Sequence, residues 1–130
     1  MNVVSKKIYE IDKMLKSSPH GFELEDTYSC IICSAVIGEN QGWYDAYGPK
    51  CFICQKAFQE NIIPVEALLN RASWLAMWEV SQLGIHPRVI RMMMRKKELK
   101  PRIIKDDFGK TYFYIFMLSE NSVLMKYNML

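Results

Sequence analysis

The sequence predicts an α+β fold, in which a small four-cysteine module precedes a pair of helices and a strand hairpin. Three observations predict it. All four cysteines fall between positions 30 and 54, in two C-x2-C pairs. Apolar and basic residues at helical spacing fill positions 73–97 on both sides of Gly84. Two apolar runs separated by a DDFG turn at 106–109 read as strands within 99–118. The chain of 130 residues suits one domain or two very small ones. Half of it is hydrophobic, enough to build a core and too much for wholesale disorder.

The elements follow in chain order. Val3, Val4, Ile8, Ile11, Met14 and Leu15 recur at helical spacing among Lys6, Lys7, Asp12, Lys13 and Lys16. They predict a short amphipathic helix that ends before Ser-Ser-Pro-His-Gly at 17–21. Its apolar face is expected to pack on its own domain rather than on a partner. Residues 22–54 are rich in turn residues around the cysteines, and Cys51 to Glu60 turns helical until Asn61 and Pro64 close it. Pro64 to Asn70 reads as the start of another helix.

The cysteine spacing is C-x2-C, 17 residues, C-x2-C. Two residues between cysteines let both sulfurs reach one ion from a tight turn, and four soft ligands in a tetrahedron suit zinc. Gln41-Gly42-Trp43-Tyr44 and Ala46-Tyr47-Gly48-Pro49 supply the aromatic and turn residues of a hairpin that returns the second pair to the first. Cys51 and Cys54 share one face at a helix start, where the helix N-terminus stabilises thiolate charge. A knuckle, a hairpin and a helix with ligands in its first turn resembles a treble-clef zinc finger, with a zinc ribbon as the alternative. The expected cofactor is therefore one structural Zn2+ held by Cys30, Cys33, Cys51 and Cys54. Other readings fare worse. Two disulfides need an oxidising compartment, and the first sixteen residues lack a signal-peptide pattern. A redox pair needs a βαβ context. Four thiolates leave no coordination position open for catalysis.

Charge divides along the chain. Residues 1–70 carry 6 Lys/Arg and 9 Asp/Glu, whereas residues 71–130 carry 11 and 5. The second half is thus the candidate partner of a polyanion, a solvated basic face being the plainer explanation.

The segment 76–95, AMWEVSQLGIHPRVIRMMMR, resembles a helix-turn-helix. Gly84 stands at the turn, Val80 and Ile90 at the places where the two helices meet, and Leu83, Ile85 and Met93 at further buried positions. Pro87 suits the first turn of the second helix, with His86 as its cap. Together with Glu98-Leu99-Lys100, the segment is similar to excisionase and MerR-type DNA-binding domains. That resemblance implies that Arg102 to Lys105, the DDFG turn and Lys110 to Phe116 form a wing. Arg88, Arg91 and Arg95 share one helical face, which suits entry into a major groove. Arg88 and Arg91 are expected at base edges, where arginine reads guanine bidentately. Arg95, Lys96, Lys97, Lys100 and Arg102 are expected at phosphates, and Lys110 at the adjacent backbone. Trp74 and Trp78 are read as core or interface residues, and Met92, Met93 and Met94 as packing residues.

The expected organisation is an N-terminal helix plus zinc module at 1–66, a winged helix-turn-helix at 67–121, and a tail at 122–130 that packs back or mediates self-association. Its expected partner is double-stranded DNA, in the role of a transcriptional regulator or mobile-element accessory factor. The competing expectation is a zinc-stabilised protein-interaction adapter that binds no DNA. No apolar stretch of about 18 residues exists to span a membrane, and the expected location is the cytoplasm. No phosphate-binding glycine loop, Ser/His/Asp set or open metal site is legible, and His20 and His86 are the only histidines, so no enzymatic activity is expected.

Overall fold

A computed structural model describes the backbone of residues 3–128 and the side chains of residues 10–127. The chain is mixed helix and sheet and divides into two compact units, Met1–Gln55 and Lys56–Leu130.

In the first unit, α1 (Val3–Ser17) covers the expected N-terminal helix. Ile11 and Leu15 are half-buried on it, and the side chains of Val3, Val4 and Ile8 lie outside the described residues. β1 (Phe22–Glu23) pairs with β4 (Gly42–Asp45), which pairs with β5 (Gly48–Cys51), all antiparallel. A separate ladder joins β2 (Tyr28–Ser29) to β3 (Val36–Ile37). Between β2 and β3 the chain turns tightly. Cys30 N–H donates to Ala35 O at 2.9 Å, and Ser34 N–H donates to Cys30 O at 3.0 Å. Gly42 lets these hairpins close on each other: a Cβ there would stand 2.5 Å from Ile37 Cγ2 and 2.8 Å from Lys50 O. Among the described residues, only Leu24, Ile32 and Ile37 join the cysteines as buried apolar side chains in this unit. So thin a core calls for a staple.

The second unit begins within α2 (Phe52–Gln59) and continues through α3 (Val65–Leu69). The division thus falls before the 66/67 position expected from sequence. Its physical reason is that residues 57–67 supply Ala57, Ile63 and Ala67 to the buried set, while Arg102 binds the Asn61 and Ile62 carbonyls. β6 (Trp74–Ala76) follows, then α4 (Met77–Gln82), α5 (Pro87–Arg95), β7 (Arg102–Lys105) and β8 (Thr111–Met117). The sheet order is β6-β8-β7, antiparallel throughout. The strand β6 is an element the sequence reading placed in a helix. Trp74 anchors it, 1 % exposed, with its indole N–H donating to Ala67 O at 3.1 Å.

The core joins Val80 of α4, Ile85 of the turn, Ile90 and Met93 of α5, Leu99, Phe116 of β8 and Leu124. Leu124 lies in a 3-10 turn at Ser122–Leu124, before α6 (Met125–Asn128). The described part of the tail therefore packs into this unit, while residues 129 and 130 lie outside the described residues. Asn121, 2 % exposed, accepts from Lys100 N–H at 2.6 Å and donates to Lys100 O and Met117 O. That clasp fixes the backbone between α5 and β7.

Candidate functional site

The metal-ligating geometry grows from two backbone devices. The β2–β3 turn carries Cys30 and Cys33, and β5 delivers Cys51 to the start of α2, whose first turn carries Cys54. Ile31 N–H donates to Pro49 O at 3.0 Å and so ties the turn to β5. The four sulfurs consequently lie within 4.8 Å of one another, with no disulfide among them. Cys33 Sγ stands 3.8 Å from Cys51 Sγ. Sulfurs held at about 2.3 Å from one ion in a tetrahedron stand about 3.8 Å apart, so the set matches a single four-coordinate ion. Cys30 and Cys54 are buried, whereas Cys33 and Cys51 are half-buried.

Electrostatics point the same way. Hydrogen bonds from Cys33, Cys51 and Cys54 hold the Cys30 thiol far below the ordinary thiol range. Donation toward Cys30 and Cys33 pushes Cys51 and Cys54 far up, and burial adds to this. Four sulfurs this close repel one another as thiolates, and a dication suits the donor set. The Cys54 N–H also donates to Cys51 Sγ at 3.4 Å, from the first turn of α2. These features make the cluster a structural metal site.

Beside it the β4–β5 hairpin buries a charge pair that sequence reasoning missed. Lys50 Nζ lies 2.8 Å from both Asp45 carboxylate oxygens, and Lys50 is 0 % exposed. Tyr47 N–H donates to Asp45 Oδ1 at 2.9 Å and closes the turn. Asp45 and Lys50 at i, i+5 carried no signal in a composition read as turn and aromatic.

The basic residues expected at DNA lie on and after α5. Ile90 and Met93 face the core and Met94 is half-buried, while Arg88, Arg91 and Arg95 are exposed. Val89 is 39 % exposed, because the inward stripe runs 90, 93, 94 at i, i+3, i+4, with Met94 half-buried. Trp78, read as core or interface, is 58 % exposed and so lies outside the core of this unit. Gly84 takes φ +92°, ending the first helix, and His86 Nδ1 accepts from Arg88 N–H at 3.1 Å as the cap of α5. Lys96, Lys97, Lys100 and Lys110 are exposed. Among the described residues, none of these seven side chains has an ion-pair or hydrogen-bond partner.

Arg102 is different. Its guanidinium pairs bidentately with Glu120 at 2.7 and 3.0 Å and donates to the Asn61 and Ile62 carbonyls. Hydrogen bonding to Glu120 raises the Arg102 pKa and holds the Glu120 carboxyl below its ordinary range. This residue clamps the fold, a role that needed partners 18 residues ahead and 40 behind to be visible. At the β7–β8 turn, Asp106 Oδ1 accepts from Phe108 N–H and Lys110 N–H, both at 2.9 Å, so the DDFG hairpin is well defined.

No helix among the described residues is long and apolar enough to cross a membrane. No protein-family model matches the sequence, and neither a curated protein nor a solved structure is similar to it.

Proposed function

We propose that this protein binds double-stranded DNA sequence-specifically through α5, with a structural zinc ion holding its N-terminal module. The observation that carries this reading is the row of seven exposed cations on α5, the segment after it and the β7–β8 hairpin, none in a hydrogen bond or close ion pair among the described residues. Coulombic attraction to a phosphate backbone is the natural use of such a row. The order α3, β6, α4, α5, β7, β8, with sheet order β6-β8-β7, resembles a winged helix-turn-helix in which α5 is the recognition helix and the hairpin is the wing. Lys97 adds a detail. It takes φ +60° just past α5, a conformation that glycine adopts at less cost, and there it presents a charge.

In this reading Arg88 and Arg91 reach base edges from the first turns of α5. Arg95, Lys96, Lys97, Lys100 and Lys110 neutralise phosphates, and Arg102 holds β7 in place rather than meeting DNA. The four cysteines resemble a treble clef in their knuckle, hairpin and helix order, and their all-sulfur set suits zinc. When bound, the ion supplies a crosslink between the β2–β3 turn and α2. The role of transcriptional regulator or mobile-element accessory factor follows from the resemblance to excisionase and MerR-type domains.

Selection from a random duplex pool at fixed salt tests the reading. Arg91→Ala is expected to cost about 1–3 kcal/mol and to relax preference at one base position. Lys97→Ala is expected to weaken binding to all sequences alike. A pool with no enriched sequence rejects sequence-specific recognition.

A further inference from the structure

A groove of about 470 Å3 opens beside α5, lined by Arg91, Met94 and Arg95 of that helix and by Pro101, Ile103 and Tyr114. Ile103 and Tyr114 are direct register partners on β7 and β8. Ile103 is 38 % exposed, although the next residue on its strand, Ile104, is completely buried. Tyr114 is half-buried, and among the described residues its hydroxyl has no hydrogen-bond partner. The groove thus combines an apolar floor, two unpartnered guanidinium groups and one free hydroxyl donor.

We infer that this groove seats one sugar–phosphate strand of the bound duplex, with Tyr114 as a phosphate contact and Ile103 as the shelf for a deoxyribose. The inference rests on the DNA-binding reading and deepens it by naming where the backbone runs. A nucleic-acid strand combines anionic phosphates with apolar sugar faces, and the lining supplies both guanidinium groups and apolar side chains. Arg95 stands one helical turn, a rise of about 6 Å, beyond Arg91, so it can hold a phosphate of the strand whose base edge Arg91 reads. The Tyr114 hydroxyl donates to a phosphate oxygen, as tyrosines commonly do at DNA backbones. A partner made only of apolar groups would leave both arginines unpaired, and a bare anion would leave the floor exposed to water.

The test is anisotropy titration of a fluorescein-labelled selected duplex, and of one of its single strands, with the full zinc-loaded chain. Tyr114→Phe is expected to weaken duplex binding about threefold to tenfold, the worth of one hydrogen bond. Ile103→Asp, which places a carboxylate against the strand, is expected to weaken it by more than tenfold. Val36→Asp, the same kind of change at an exposed position of the first unit, serves as control and should leave the affinity within twofold. Thermal melts of each variant establish that the fold is retained. Wild-type affinity in both Tyr114→Phe and Ile103→Asp overturns the groove assignment while leaving DNA binding intact. Losses confined to the single strand overturn the duplex assignment. A wild-type chain that binds no duplex removes the DNA-binding reading and this inference together.

Discussion

Removing the metal is expected to unfold the N-terminal unit. Among apolar side chains, residues 10–55 bury only Leu24, Ile32 and Ile37 beside the cysteines, too little apolar surface to offset the entropy of ordering that many residues. A structural zinc contributes about 10–16 kcal/mol of apparent binding free energy at neutral pH, and where no site exists in the unfolded chain this is folding free energy. Chelation, or Cys54→Ser at a completely buried ligand, should therefore abolish hydrogen-exchange protection across β4 and β5. The second unit has its own core around Ile90, Leu99 and Phe116, and its protection should persist. The sign with pH follows from proton counting. The unfolded, metal-free chain carries thiol protons that the metal-bound state has lost, so stability rises with pH and metal leaves on acidification. Native mass spectrometry reads the ion directly. A metal-free protein with unchanged exchange protection would falsify the structural-metal assignment.

The second large effect is expected at the Asp45–Lys50 pair. Lys50 is wholly inside the β4–β5 hairpin, and its ammonium meets both oxygens of Asp45 at 2.8 Å. Asp45→Ala takes the bidentate carboxylate away from a buried cation, a change that typically costs about 3–5 kcal/mol. It also removes the acceptor of the Tyr47 N–H. The double variant Asp45→Leu with Lys50→Met removes both charges and should be closer to wild type than Asp45→Ala alone, because it leaves no uncompensated ion. Urea titrations of the metal-loaded chain, followed by exchange at β4 and β5, separate the two cases. Equal losses in the single and double variants would show that hairpin shape, not charge pairing, sets the stability.

What could be read from the sequence was local. The cysteine pairs announced a metal cluster because ligand spacing within a turn and a helix start is set by nearby residues. Arg88, Arg91 and Arg95 announced an exposed face because three- and four-residue spacing is a property of one helix. The DDFG turn was legible for the same reason, since Asp106 binds its own neighbours. The missed features depend on partners far along the chain. Trp74 to Ala76 become a strand only by pairing with Ile115 to Met117, a tertiary choice that overrides the helical periodicity around them. Arg102 looked like one more cation in a basic run, yet Glu120 and two carbonyls of residues 61 and 62 claim it. Val89 and Trp78 are apolar yet exposed, because short helices bury only a narrow stripe. The groove beside α5 was invisible for a related reason: it needs the register that sets Ile103 against Tyr114.

The salt dependence of duplex binding tests the nucleic-acid reading most directly. Each phosphate neutralised releases counterions, so log K falls against log salt with a slope of about −0.9 per contact. Recognition through α5 and its flanks predicts a steep negative slope for the wild-type chain, shallower by about 1 in Lys97→Ala. Association that stays flat as salt rises, or that keeps its full slope when Lys96 and Lys97 are both alanine, contradicts it.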